Sequence, residues 1–365
     1  MRSIRTTDAI RHSRADAVDA PACFLSDGHD ITTASHRLPF SVGFPPLIFR
    51  KDIPVTTVIC GSLAYDNIMT FEGRFGEHIL PDQVHILNVS FLVPTMRRNF
   101  GGCAGNIGYS LHLLGGSPVV MATVGEDGAA YLERFQTLGM TTEFVRTVTD
   151  TMTANAMITT DLDNNQITAF HPGAMMFSSR NRVSDAKGAT LGIVAPDAPD
   201  AMLTHAEGFA AAGVPFVLDP GQGLPLLSPE ALRRMVELAT YLAVNDYEAK
   251  LLSTKTGLSM ADLQSRVEAL VVTRGEHGAQ IFAGGKQHDI PAVTAKRVVD
   301  PTGCGDAFRG GLLYGIEKGL DWPTTGRLAS LMGSLKIAEQ GPQTYAPTRS
   351  EIEAQYEEAF GHRFE

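Results

Sequence analysis

The chain has only four cysteines in 365 residues, Cys23, Cys60, Cys103 and Cys304, set far apart and without a CxxC pair. That spacing suggests neither a disulfide framework nor a structural zinc site, both of which draw on closely spaced cysteines. Long apolar runs are also missing, since no stretch reaches the roughly 18 residues of a membrane-spanning helix. The N-terminus lacks the apolar centre of a secretory signal, and its acidic side chains argue against a transit peptide. Basic charge is scarce as well: 30 Lys and Arg face 40 Asp and Glu, a formal charge of -10, with no basic cluster to follow a phosphate backbone. Neither a nucleic-acid nor a membrane partner is expected, and a reducing cytoplasm is the expected setting.

Several nucleotide motifs are absent. The Gly-Lys of "AGGKQH" is followed by Gln287 where a P-loop needs a magnesium-holding Ser or Thr. The protein-kinase HRD and DFG set is missing. "CGSLAYD", after the first apolar run, has no GxGxxG, which argues against a dinucleotide fold and a dehydrogenase.

What is present is a core-forming chain with 44% hydrophobic residues, long enough for one large domain or two ordinary ones. Residues 1–52 mix charges with Ser, Thr and Pro and show no period of 2 or 3.6, so they read as a poorly ordered extension. From Val55 onward, "VTTVICG", "PVVMATVG", "LGIVAP", "VPFVLDP", "YLAVN" and "ALVVTRG" are short apolar runs of the kind buried in a parallel sheet. Helical stretches separate them, giving a wound α/β domain. In "SPEALRRMVELAT", Ser228 is the expected N-cap and Pro229 the first helical residue. "AGNIGYSLHLLGG" puts Ile107, Leu111 and Leu114 on one helical face and stops at Gly115 and Gly116. "TANAMITTDLDNNQITAFH" instead alternates with period 2 about a turn at Asp163, Asn164 and Asn165, a hairpin signal. With the strand-like "VHILNVSFLV" it suggests a small antiparallel flap outside the main sheet.

One stretch carries chemistry: "VVDPTGCGDAFRGGLLYGI", residues 298 to 316. "RVVD" reads as a short buried strand, and Ala307, Leu312, Leu313 and Ile316 as a helical stripe, which places Asp306 at the helix start. Backbone N–H groups in a Gly-rich turn entering a helix form a concave anion site, reinforced by the helix dipole. A carboxylate beside it can take the proton of a hydroxyl that attacks a bound phosphoryl group. The plainer alternative is an Asp that only complements the dipole. The helix end should lower the carboxyl pKa and an incoming phosphate should raise it.

Four ordered stretches together resemble the ribokinase-like (PfkB) sugar and nucleoside kinases: "GGCAGNIGYSLHLLGG", "NDYE", "TRGEHGA" and "DPTGCGDAF". The resemblance runs from about Val55 to about Pro347. "GSLAYDNIMTFEGRF", "SFLV" and "ITAFHPGAM" are more similar to bacterial adenosine kinases and related ribonucleoside kinases than to hexose or ribose kinases. It implies a doubly wound, mostly parallel sheet flanked by helices over residues 53–350, with a β lid from segments around 62–100 and 152–172. A C-terminal helix and tail would occupy 351–365. The implied activity is transfer of the ATP γ-phosphoryl group to the 5'-hydroxyl of a purine ribonucleoside, with Mg2+. A sugar kinase of the same fold and a silent nucleotide-binding regulator are the alternatives.

On this resemblance Asp306 is the base, and the amides of Gly303, Cys304 and Gly305 form the anion hole. Asp66 would accept from two ribose hydroxyls, since a carboxylate offers two acceptor oxygens. Gly101 and Gly102 would close over the sugar and Asn106 would bond a ribose hydroxyl. Asn245, Thr273, Gly275 and Gly278 would line the ATP side, and Glu248 would order magnesium-bound water. Phe170 would stack on a purine or serve as a core residue, and Gln222 would meet the base edge or stand as a plain loop residue. Adenosine kinases of this type tend to carry a glutamine where Gly223 stands and an aromatic where Ala156 stands, so tolerance of inosine or guanosine is expected. A homodimer through the lid is implied as well, because edge strands need covering.

Overall fold

Alternation of short apolar strands with helices is what the computed structural model shows for residues 56–79, 89–163 and 165–365, which all belong to the unit Arg50–Glu365. The expected extension, residues 1–52, lies outside the described residues.

The described chain begins with β1 (Thr57–Cys60) and β2 (Ala64–Thr70), a single turn α1 (Phe75–His78), then β3 (Thr95–Gly101) and α2 (Cys103–Leu113). Next come β4 (Pro118–Val124), α3 (Ala129–Thr137), β5 (Val145–Thr147) and the hairpin β6 (Ala154–Thr160) with β7 (Gln166–His171). The wound half continues through β8 (Leu191–Val194), α4 (Pro199–Ala212), β9 (Phe216–Leu218), α5 (Pro229–Leu238), β10 (Tyr241–Asn245), α6 (Asp246–Thr256) and α7 (Met260–Arg266). It ends with β11 (Ala269–Thr273), β12 (Ala279–Ala283), β13 (Lys286–Ile290), α8 (Cys304–Glu317), α9 (Trp322–Ile337) and α10 (Arg349–Phe360).

Nine strands form one sheet in the order β13-β12-β11-β10-β9-β8-β1-β4-β5, and only β12 is reversed, pairing antiparallel with both β11 and β13. Successive side chains point to opposite faces of a strand, and a sheet covered on both faces must be apolar on both. In β1, Ile59 packs with Ile107, Leu111, Leu312 and Leu313 beneath α2 and α8, while Val58 and Cys60 pack with Met202, Phe209 and Leu232 beneath α4 and α5. Ser228 caps α5 as expected, its side chain accepting from the Ala231 amide. Among the described residues no helix is long and apolar enough to cross a membrane.

The second sheet has four strands in the order β3-β2-β6-β7; its outer pairs are antiparallel and its central β2–β6 pair is parallel. The turn of the hairpin is tied by Asp161, whose carboxylate accepts from the amides of Phe75, Asp163 and Asn165. Asn164 lies outside the described residues.

Two expected strands are not strands. Residues 298–300 of "RVVD" are irregular, with Val298 and Val299 exposed and the amides of Val299 and Asp300 both bonded to the Ile337 carbonyl at the end of α9. A helix terminus supplies the acceptor that a strand neighbour was expected to supply. In "VHILNVSFLV", residues 84–88 lie outside the described residues and 89–93 join no strand among the described residues, where the lid strand begins at Thr95. Phe91 instead packs with Phe71 and Phe75, at ring-centroid distances of 4.9 and 5.0 Å.

Candidate active site

The Gly-rich turn does enter a helix. Gly303 is the N-cap of α8 with φ of 80°, and a Cβ there would lie 2.6 Å from the Cβ of Pro342. Glycine is required on both counts. Asp300 shapes the turn by accepting from the Thr302 amide (2.9 Å) and the Gly341 amide (2.8 Å). Beneath it the fully buried Lys336 donates to the Asp300 carbonyl at 2.6 Å and the Glu339 carbonyl at 3.1 Å. Of the three expected anion-hole amides, that of Cys304 is taken by the Pro301 carbonyl at 3.2 Å. Those of Gly303 and Gly305, and that of Asp306, have no hydrogen bond within the described chain. In the free cluster Asp306 therefore replaces Cys304, whose amide folds back onto Pro301.

Asp306 sits in the first turn of α8, and its Oδ2 accepts from Asn106 Nδ2 at 2.8 Å while Oδ1 has no partner among the described residues. Burial pushes its carboxyl up; Asn106 pulls it down, Asp219 pushes it up, and Arg309 and the Cys103 thiol pull it down, leaving it at about 6 from 3.8. Burial thus outweighs the bond from Asn106. Across from it stands Asp66, raised to about 6 by burial and then by the charges of Asp306 and Asp300. No group in the described chain donates to Asp66, which lies inside β2 rather than in the loop after β1. Gly101 is needed beside it, because a Cβ there would collide with the Asp66 carboxylate. Gly102, with φ of 85°, starts α2.

Strand register carries Asp66 outward. It pairs with Ala156 on β6, and Ala156 pairs with Phe170 on β7, so the three share one rung and one face of the lid. Phe170 is 52% exposed, which excludes the core alternative. At about 4.8 Å per strand, Asp66 and Phe170 are roughly 10 Å apart along the rung.

On the other side of the turn, Thr273, Gly275 and Gly278 line a cleft of about 630 Å3 together with Cys304, Gly305 and Phe308. The cleft therefore reaches the N-terminus of α8. Asn245 and Glu248 form a capping box at the start of α6: Asn245 Oδ1 accepts from the Glu248 amide at 2.7 Å and Glu248 Oε2 from the Asn245 amide at 2.8 Å. Burial, then Asp219, holds the Glu248 carboxyl above its ordinary value. Gln222 is exposed on the turn after β9 and makes no hydrogen bond to this centre.

Asn106 differs from expectation. Its amide is held by protein on both sides, Nδ2 donating to Asp306 and Oδ1 accepting from Gln343 Nε2 at 3.0 Å. Sequence reasoning missed Gln343, Tyr131 and Arg134, which complete this network from α3 and the segment after α9. No local pattern marks them. It also missed Arg309, whose guanidinium grips Asp219 at 3.1 and 3.2 Å with both side chains under a tenth exposed. An Arg three residues after Asp306 in an otherwise apolar helix was the available signal.

Comparison with known proteins agrees with this geometry. The pfkB family carbohydrate kinase profile matches residues 77–349. A nucleoside kinase of Methanocaldococcus jannaschii is 30% identical over 267 residues, covering 73% of this chain and 88% of that protein. Among solved structures, Burkholderia thailandensis nucleoside kinase in complex with inosine is 65% identical, with a TM-score of 0.77 over 84% of this chain and 99% of that one. The same enzyme in complex with ADP-inosine gives 66% and a TM-score of 0.76, over 85% of this chain and 97% of that one.

Proposed function

The chain belongs to the pfkB family of carbohydrate kinases, and from that premise we propose that it is a nucleoside kinase, transferring the γ-phosphoryl group of ATP to the 5'-hydroxyl of purine ribonucleosides. The observation that carries this reading is the lid rung, which sets an unpaired carboxylate and an open aromatic ring on one face. Asp66 accepts from the ribose 2'- and 3'-hydroxyls, and Phe170 stacks on the base. A free pentose would leave Phe170 untouched. Ala156 between them leaves the base pocket wide, so adenosine, inosine and guanosine all fit the proposal, in keeping with the inosine complexes of the Burkholderia relative.

Asp306 Oδ1 takes the proton of the 5'-hydroxyl as its oxygen bonds to the γ-phosphorus. The bond between that phosphorus and the bridging oxygen breaks, and its electron pair leaves with ADP. The free amides of Gly303, Gly305 and Asp306 hold the non-bridging oxygens, and Thr273, Gly275 and Gly278 seat the nucleotide in the adjoining cleft.

Mg2+ fits as an ion brought by the nucleotide. Among the described residues no cluster of three or more His, Cys, Asp or Glu could hold a metal directly, and Asp219 is committed to Arg309. Glu248 retains Oε1 for a magnesium-bound water, and the Asn245 amide NH2 remains for a phosphate oxygen. Bound there, the ion would neutralise phosphate charge.

Initial rates with Mg-ATP on adenosine, inosine, guanosine, ribose and fructose test the proposal. We expect 5'-monophosphates from the nucleosides and little product from the sugars; preferential phosphorylation of ribose or fructose would refute it. The lid face opposite Phe170 exposes Met96, Met157 and Ile167, which supports a homodimer through the lid, and a monomer mass by light scattering would refute that part.

A further inference from the structure

Asn106 can meet Asp306 with either end of its amide, and only one serves a base. If Nδ2 faces the carboxylate, the ionised form is held in place; if Oδ1 faces it, two acceptors repel and the proton is retained. The amide cannot choose by itself, since its ends have nearly the same shape.

The choice is made upstream, by a run of buried hydrogen bonds whose direction is forced. It begins at Arg134, which can only donate. Its guanidinium is held over the rings of Phe100 and Tyr109, 5.0 and 5.4 Å from their centroids, and it donates to Gln343 twice, from Nε to Oε1 at 3.2 Å and from Nη2 to the main-chain oxygen at 2.5 Å. With Oε1 committed, Nε2 of Gln343 must point the other way. It donates to Asn106 Oδ1 at 3.0 Å and to the Tyr131 hydroxyl at 2.8 Å. Asn106 Nδ2 is thereby turned to Asp306, and the Tyr131 proton to the Gly101 carbonyl at 2.6 Å, beside Asp66. Gln343 and Asn106 are 3% and 4% exposed and Tyr131 is fully buried, so water does not scramble these roles. Reversing the Gln343 amide would set N–H against guanidinium and oxygen against oxygen.

We propose that Gln343 is a positioning residue: it fixes which end of the Asn106 amide meets Asp306, leaving Oδ1 of that carboxylate as the proton acceptor. This rests on the nucleoside-kinase reading, in which Asp306 is the base. Other charged or titratable groups also face Asp306: Asp66 from β2, Cys103 from α2, Asp219 just after β9, Cys304 and Arg309 from α8, and Tyr345 from the segment after α9. Gln343→Glu leaves all of them in place.

The test is the pH dependence of kcat for wild type, Gln343→Glu and Gln343→Met, with inosine and Mg-ATP saturating. A glutamate at 343 accepts from Arg134 but cannot donate to Asn106, so the Asn106 amide turns its oxygen to Asp306. We expect the acid limb of kcat to move up by about one pH unit, so that kcat falls about twofold at pH 7 and close to tenfold at about pH 5. KM for nucleoside and for ATP should stay within about twofold. Gln343→Met keeps the volume, offers no N–H and loses the same rate; it decides the matter if Gln343→Glu does not fold. Asn106→Leu should lower kcat itself, and adding Gln343→Glu to it should change the limb no further. Wild-type kcat and limb in both Gln343 variants would overturn the inference. A wild-type protein that phosphorylates no nucleoside would instead overturn the parent reading.

Discussion

If Asp306 is kept as a carboxylate for catalysis, the fold is less stable for it, and Asp306→Asn should show this. The carboxyl stands at about 6 in the folded chain against 3.8 for an ordinary Asp. A shift of roughly 2 units at about 1.4 kcal/mol each sets a ceiling near 3 kcal/mol. Asp306 is partly exposed, and screening there reduces the expected effect to about 1–2 kcal/mol. An asparagine keeps the bond from Asn106, because its own oxygen accepts from the same Nδ2. Since the folded pKa is the higher one, the unfolded wild-type chain releases its proton first as pH rises. Wild type therefore loses stability relative to the variant between about pH 4 and pH 6, and the gap is constant above. Below pH 4 both side chains are neutral and the gap closes.

Thermal unfolding of the two proteins by calorimetry, at pH 4.5 and at pH 8, measures this directly. At pH 8 the variant should melt higher by a few degrees, at roughly 2–4 °C per kcal/mol, and at pH 4.5 the difference should fall to about a third of that. Its kinase activity should fall by at least about a hundredfold. A variant less stable than wild type at pH 8, or a gap equal at both pH values, would refute the reasoning.

Other outcomes follow from the same geometry. In wild type, kcat should rise with pH up to about 6, where the Asp306 carboxyl titrates, and then level off; a rate flat from pH 5 upward would contradict the base assignment. Gly303→Ala must adopt a φ of 80° and meet Pro342, so it should lose about 1–2 kcal/mol of stability and at least roughly tenfold in kcat, read by urea unfolding and initial rates. Phe170→Ala should raise KM for all three purine nucleosides by about tenfold, with KM for ATP unchanged, as loss of a stacking platform requires. Arg309→Met leaves Asp219 buried and unpaired and should destabilise by about 3–5 kcal/mol in urea unfolding.

Periodicity made the wound sheet legible because its strands are buried on both faces, and apolar runs such as "YLAVN" and "ALVVTRG" have no competing use. The β6–β7 hairpin was legible from alternation alone. Where the reading failed, an apolar residue had a different partner from the one that periodicity presumes. Val299 and Asp300 bond to the end of α9, and Phe91 joins a ring cluster. The Gly-rich turn before α8 was local and could be read as a unit. Which of its amides remain free depends on how Cys304 folds onto Pro301, which composition does not determine. The Arg134–Gln343–Asn106 run joins residues about two hundred positions apart. No pattern within any one segment encodes it.

The carboxylates of the site divide by what each one meets. Asp300 is pushed up by burial, yet the amides of Gly341 and Thr302 and the Lys336 ammonium outweigh that and leave it below its ordinary value. It stays ionised and holds the turn. Asp66 and Asp306 have no cation of their own and face one another, and both stand at about 6. Groups of one chemical type are thus driven to different protonation behaviour by their surroundings, which is how a site assigns structural and proton-handling roles. The same division explains the Arg309–Asp219 pair. With Arg309 committed to Asp219 by two bonds, its charge is spent locally and only partly offsets the burial of Asp306 one turn away. A free arginine there would return Asp306 toward an ordinary, weakly basic carboxylate. The buried pair therefore allows a cation to lie close to the proposed base without removing its capacity to take a proton.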